Sequence, residues 1–226
     1  LSGPRAEPRT ALPMSQNRSS AVMQQRSEPR DSLEDFPTPP WATRALIEFL
    51  LARGYACAHQ SVVSEPACNR GYMVAPLAEF FEVIASDVHD YGYGFAVRDY
   101  LAKPAPPCDW TITNPPFSLA QAFVDKALAT SRIGVAILVR LAFLESVGRY
   151  SALFSVTPPT DILQFTERVV IHKGRLSKSG STATAYCWLV WRQPAERRAP
   201  TQFHWIAPCR KRLERAEDYP EVRDGF

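Results

Sequence analysis

The sequence predicts an α/β protein: a doubly wound, mostly parallel sheet of seven strands with an antiparallel pair at one edge. Three observations carry that expectation. From residue 41 onward, strand-like apolar runs alternate with helical ones. The run RIGVAILV (132–139) is continuously apolar, as in a strand buried on both faces of a parallel sheet. The last two β-prone runs, DILQFTERVVIH (161–172) and ATAYCWLVW (183–191), are joined by a Gly/Ser-rich basic loop without a helix, which suits an antiparallel pair.

The elements follow in order. Residues 1–32 are rich in Pro, Ser, Arg and Gln and lack an apolar period, so a disordered tail is expected there. Apolar residues at 42, 45, 46, 49 and 50 mark a helix over Trp41–Arg53, reached through PTPP and left at Gly54. SVVSEPA (61–67) reads as the first strand. MVAPLAEFF (73–81) reads as a helix that tolerates Pro76 in its first turn. EVIASD (82–87) is a second strand ending in an acid, FAVRDYL (95–101) contains a third, and DWTITN (109–114) is the fourth. Ser118 is placed to cap a helix over LAQAFVDKALATS (119–131), and LESVGRYSALF (144–154) has a helical pattern. The expected organisation is a tail (1–32), one α/β domain (33–192) and a basic, mixed-charge C-terminal extension (193–226).

Composition narrows the function classes. The five cysteines (57, 68, 108, 187, 209) are scattered without a C-x-x-C pair, so neither a disulfide framework nor a metal site is expected. The longest apolar run, IGVAILVRLAFL, is broken by Arg140, which argues against a membrane span. Residue 1 is Leu, with Met14 a possible internal start, and the beginning lacks the order of a signal peptide; a cytoplasmic setting is expected. Net charge is only +3, with five Arg against two Glu in residues 1–30 and a slightly acidic middle, so charge alone does not name a partner. Within that middle, His172, Lys173, Arg175 and Lys178 cluster in HKGRLSKSGS, with Arg140 and Arg149 elsewhere, as candidate nucleic-acid contacts; a solvated hairpin is an equal reading. His59, His89 and His204 carry no catalytic signature.

The polar oddities converge. EPACNRG follows strand one, Asp87 ends strand two, RDY lies at strand three and NPPF ends strand four. In a doubly wound sheet these positions share one rim, where ligands bind. A loop bearing Gly71 after strand one, then an acid at the end of strand two, is the layout of a nucleotide-type site. The full G-x-G-x-x-G of a dinucleotide fold is absent. In CDWTITNPPF, Asn114 and two prolines stop a buried strand, a pattern of rigid acceptors facing a flat, amine-bearing substrate or, more plainly, of a stiff turn.

EPACNRGYM, SDV, RDYL and TNPPF, in that order, resemble the motif series of class I S-adenosylmethionine-dependent methyltransferases, which have a Rossmann-like fold. The best likeness is to N6-adenine DNA methyltransferases of small phage or prophage type, and it spans about Phe36 to Trp191. Asn69 stands where the usual E-P-A-C-G-x-G has its first glycine; Asn is one of the few residues that tolerate a left-handed backbone. The resemblance implies S-adenosyl-L-methionine as cofactor and DNA as partner, in a bacterial or phage setting. Glu65, Ala67, Cys68, Asn69 and Gly71 would then shape the loop around the methionine part of the cofactor. Asp87 would hold the ribose, Val88 would flank the adenine ring, and Asp99 and Tyr100 would meet its amine and edge. PTPPWATRALIEFL resembles the motif preceding that loop, which makes Thr38 a contact for the cofactor carboxylate. Asn114, Pro115, Pro116 and Phe117 would form the catalytic tetrad, with the target base flipped out to stack on Phe117.

The chemistry fits the residue types. An adenine N6 lone pair is delocalised, and acceptors aimed at its two hydrogens favour the pyramidal nitrogen that can attack a methyl group. The Asn114 carbonyl and the Pro115 backbone carbonyl supply such acceptors, and Pro116 stiffens residue 115. Two alternatives stay open: the same transfer to adenine in RNA, or a catalytically weak nucleic-acid-binding relic. Methylation of a protein glutamine fits less well, because its usual aromatic is Tyr. The tail WIAPCRKRLERAEDY (205–219) reads either as a helix docking on DNA or as a charged terminal helix.

Overall fold

A computed structural model describes residues 33–193 and 200–219. The expected tail, 1–32, lies outside the described residues. Eight strands form one sheet: β1 (Val62–Glu65), β2 (Glu82–Asp87), β3 (Ala96–Val97), β4 (Cys108–Thr113), β5 (Ser131–Arg140), β6 (Asp161–Phe165), β7 (Tyr186–Arg192) and β8 (Gln202–Ile206). Their order is β3-β2-β1-β4-β5-β7-β6-β8. The first five in that order run parallel, β7 is antiparallel to both neighbours, and β8 is parallel to β6.

The α/β class and the antiparallel pairing are as the sequence predicts. The expectation of seven strands with that pair at the edge needs correction. β6 and β7 are not terminal, because β8, drawn from the expected C-terminal extension, completes the free hydrogen-bonding side of β6. His204 on β8 reinforces the pairing, its Nε2 lying 2.7 Å from Asp161 Oδ1 on β6.

Helices cover both faces. One face buries α1 (Pro40–Ala52) and α2 (Val74–Ala78) against Val63, Trp110, Leu138 and Trp188. The other buries α3 (Ala120–Thr130) against Val135, Ile137, Leu189 and Trp191. Pro40 sits in the first turn of α1, where its missing N–H costs nothing, and Gly54 ends the helix at a φ of 64°. Gly134 permits the closest approach in the core: a Cβ there would lie 2.5 Å from the Trp110 ring and 2.6 Å from the Trp191 carbonyl oxygen.

Two local expectations change. Ser118 does not cap α3: the N-cap is Leu119, and the Ser118 N–H donates instead to the Glu34 carboxylate. The 144–154 helix is broken into short pieces, with a 3-10 turn (Leu141–Leu144), α4 (Val147–Arg149) and a π turn (Tyr150–Phe154).

The C-terminal segment folds back as α5 (Arg210–Leu213) and a 3-10 turn (Ala216–Asp218) against α1. Buried Arg44 pins it, donating to the Leu213 carbonyl (2.9 Å), to Asp218 (2.8 Å) and to Glu79 (2.9 Å). Arg210, Arg212 and Arg215 pair with Glu214, Glu48 and Glu79. The α-helix in this segment is only four residues long, against the docking-helix reading of 205–219.

Candidate active site

The carboxyl ends of β3, β2, β1, β4 and β5 share one rim, and a cavity of about 220 Å³ opens there. The loop after β1 turns at Asn69, whose φ of 52° is left-handed. Its backbone N–H donates to Asp87 Oδ2 (2.9 Å), and its side chain joins the Arg70 N–H (2.8 Å) to Asp35 Oδ1 (2.7 Å). The amide thus holds by hydrogen bonds the turn that a glycine would make through freedom alone. Gly71, at φ 86°, leaves room for the Phe95 ring, which lies 2.6 Å from where a Cβ would stand.

Beneath the loop, Glu65 is 0% exposed. Its Oε1 accepts the Thr113 hydroxyl (2.6 Å) and the Ala67 N–H (3.0 Å), tying the end of β1 to the end of β4. Burial pushes its carboxyl up to about 8, outweighing those two hydrogen bonds. Cys68 lines the cavity, but burial raises its thiol far above the ordinary value, which leaves it inert as a nucleophile. Asp87 also accepts the His89 N–H (3.0 Å), and Asp99 accepts the N–H groups of Leu101 (2.9 Å) and Ala102 (3.1 Å).

Thr38, Ala67, Cys68, Asn69, Asp87, Val88, Asp99, Tyr100, Asn114 and Pro116 all line this cavity. Glu65 and Gly71 shape it from behind. Pro115 is buried, and Phe117 faces a neighbouring cavity of about 160 Å³ with Arg140, Phe143 and Arg149.

Asn114 is the best-determined side chain of the set. Its Nδ2 donates to the Phe36 carbonyl (3.0 Å) and to Thr38 Oγ1 (2.9 Å). A carbonyl can only accept, so the amide orientation is fixed. Oδ1 is left buried with no partner among the described residues. Such an orphan acceptor costs about 1–3 kcal/mol unless a ligand donates to it.

Around Phe117 the aromatic setting is dense. The Phe36 ring lies 5.0 Å away, Tyr186 6.4 Å, and the Arg140 guanidinium sits 3.8 Å over the ring. Arg140 Nε is buried without a partner among the described residues. Arg149 turns inward, with Nε donating to the Phe143 carbonyl (2.7 Å). His172 and Arg175 bridge across a tight turn in which Lys173 and Arg175 are exposed, and the Gly174 N–H donates to the Asp35 carbonyl (2.8 Å). The basic turn is thereby fastened beside the cavity. Lys178 is exposed, 6.0 Å from the Tyr219 ring.

From the strap of residues 33–38, sequence reasoning picked out Thr38 and missed the three residues Glu34, Asp35 and Phe36. Glu34 Oε2 accepts the Phe117 N–H (2.7 Å), Asp35 holds Asn69 and Arg70, and Phe36 holds Asn114. The only hint was the acidic pair with Phe36 just before PTPP. No group of three or more His, Cys, Asp or Glu side chains among the described residues is arranged to hold a metal ion. Among the described residues no helix is long and apolar enough to cross a membrane.

No family model matches the chain, and no curated protein matches it. Solved structures do. The chain is similar to a proposed RNA methyltransferase from Pyrococcus horikoshii, at 18% identity and a TM-score of 0.55, over 74% of this chain and 91% of that one. It also resembles an N-methyltransferase from Bradyrhizobium japonicum WM9 (13%, TM-score 0.48, 69% and 97%). A dimethyladenosine transferase from Plasmodium falciparum aligns as well (12%, TM-score 0.49, 71% and 64%). The fold is that of the class I methyltransferases. The first likeness and the β3-β2-β1-β4-β5-β7-β6 order with antiparallel β7 carry that conclusion.

Proposed function

We propose that this protein transfers a methyl group from S-adenosylmethionine to the N6 amine of an adenine in DNA. One observation carries the reading: Asn114 is held by its amide nitrogen so that its oxygen is buried and unpartnered on the ligand rim. An exocyclic amine is the group that such an acceptor lacks. The motif series that resembles N6-adenine methyltransferases adds the substrate class.

The cavity residues fit the cofactor in chemistry. Asp87 and Asp99 offer carboxylates for ribose hydroxyls and an amine, while Val88, Leu101 and Phe123 offer apolar walls for a flat ring. When bound, S-adenosylmethionine supplies the electrophilic methyl group. The chain's own residues do the rest by position. Asn114 Oδ1 and the Pro115 carbonyl accept the two amine hydrogens, which localises the nitrogen lone pair. Phe117 stacks the base once Arg140, whose guanidinium lies 3.8 Å over the ring, swings off the face it covers. Pro115 and Pro116 stiffen the loop, and Glu34 fixes it further by accepting the Phe117 N–H. No strong base is needed, because a methylated ammonium gives up its proton readily to water.

The test is transfer of radiolabel from S-adenosylmethionine to duplex DNA, single-stranded DNA and RNA, with wild type and Asn114→Ala. The expected result is label on DNA adenine, reduced about 10²- to 10³-fold in the variant by loss of one preorganised partner. Label on RNA alone transfers the reading to RNA adenine. Absence of label on every substrate refutes it.

A further inference from the structure

A second polar amide is oriented on the same rim, three strands away. Gln164, near the end of β6, is 8% exposed. Its Nε2 donates to the Phe165 carbonyl (2.8 Å), and Oε1 is buried with no partner among the described residues. Gln164 lines a cavity of about 380 Å³ with Arg168, Tyr186 and Trp205. Trp205, its register neighbour on β8, is 69% exposed, and Phe203, two residues earlier on the same strand face, is 49% exposed. The two rings pack edge to face at 4.8 Å. Large apolar rings left bare on a sheet edge, beside an orphan acceptor, are a built surface in search of a flat ligand.

We propose that this cavity is a subsite for an unpaired nucleobase flanking the target adenine, in a single-stranded stretch of the substrate. The inference rests on the methyl-transfer reading and extends it to substrate form. Trp205 supplies a stacking face, as aromatic platforms do for single strands, and Gln164 Oε1 accepts from an exocyclic amine or ring N–H. Exposed Arg168 lines the same cavity as a cation for the backbone phosphate. Glu167, the acid of the lining, is turned away: its carboxylate accepts the N–H groups of Cys209 (2.6 Å) and Arg210 (2.7 Å). Tyr186 joins the two sites, because it borders this cavity and lies 6.4 Å from Phe117. From β4 across β5 and β7 to β6 is three strand spacings, roughly 14 Å, too far for one base to fill both sites. The shared chemistry, a stacked base with a donor edge, belongs to DNA and RNA alike.

The experiment measures anisotropy of fluorescein-labelled nonamers with one central adenine, flanked either by cytosines or by abasic sites, in deoxy and ribo forms. Wild type is expected to bind the cytosine-flanked oligomer at least about 10-fold more tightly than the abasic one. Trp205→Ala should weaken the cytosine-flanked complex by roughly 10- to 100-fold and leave the abasic complex unchanged. Gln164→Leu should weaken it several-fold, again with no effect on the abasic oligomer. Trp205 is exposed, so its removal leaves the core intact. Equal affinity for both oligomers in wild type overturns the subsite. So does a Trp205→Ala variant that changes only the oligomeric state in sedimentation, since the ring then covers a second copy of the chain. Methyl incorporation is read on the same oligomers: base discrimination without label sinks the transfer reading and keeps the subsite, and label without discrimination does the reverse.

Discussion

Glu65→Gln isolates the carboxyl under the loop that follows β1. In the folded protein this group titrates near 8, against an ordinary value of 4.5, because burial disfavours its charged form. At pH 7 it is mostly protonated. The sign follows from linkage: a group with a raised folded value contributes stability that is complete below about pH 4.5 and lost as pH climbs through 8. Each pH unit in that window costs about 1.4 kcal/mol, so roughly 3 kcal/mol disappears between pH 4.5 and 7. A glutamine mimics the protonated acid. Its oxygen can accept the Thr113 hydroxyl and the Ala67 N–H, and its NH₂ takes the place of Oε2, which has no partner among the described residues. Urea unfolding of both proteins at pH 5, 6, 7 and 8 separates this group from all others, because the rest titrate alike in both. The expected difference, variant minus wild type, rises by about 1.4 kcal/mol per pH unit from 5 to about 7.5 and then flattens. A flat difference, or one that falls with pH, would show Glu65 ionised in the folded state and refute the reasoning.

Two further substitutions probe the site and the core. Thr38→Val removes the hydroxyl that accepts from Asn114 Nδ2, while the Phe36 carbonyl keeps the other bond; the expected loss is about 10-fold in kcat with an unchanged Kd for sinefungin by calorimetry. A weaker Kd at constant kcat would make Thr38 the cofactor-carboxylate contact that the motif resemblance implies. Gly134→Ala drives a Cβ to 2.5 Å from Trp110 and 2.6 Å from a backbone oxygen; overpacking of about 3 kcal/mol should lower Tm by roughly 6–12 °C in a thermal melt.

Much of the fold was legible because its signals are local. β5 reads as a buried strand from RIGVAILV, and the 3.6-residue spacing of α1 needs only its own residues. The rim followed from topology: parallel strands put EPACNRG, Asp87 and NPPF together whatever the loops do. β8 was hidden for the opposite reason. TQFHWI is short, and although it alternates polar and apolar residues, its apolar positions Phe203 and Trp205 are the exposed ones, so no core-facing pattern ties it to the sheet. It exists because β6 offers an unpaired edge, which is a tertiary fact. In the strap of residues 33–38, Thr38 was legible through its motif, but the residues before it were not, on similar grounds. Glu34 and Asp35 look like solvated acids, and only the folded chain shows them accepting from Phe117 and Asn69.

The two oriented amides state the general point about what a sequence hides. Asn114 drew notice because two prolines follow it, whereas Gln164 sits unmarked in DILQF. Yet each amide nitrogen is spent on a backbone carbonyl, Phe36 for one and Phe165 for the other, and each oxygen is left buried and idle. Each idle acceptor costs free energy until something donates to it. Both lie on the rim where parallel strands end, and an aromatic ring stands beside each: Phe117 for Asn114 and Trp205 for Gln164. Under the two proposals, amine recognition accounts for both acceptors with one kind of ligand, a planar base, and a strand of several such bases accounts for their separation along a single edge.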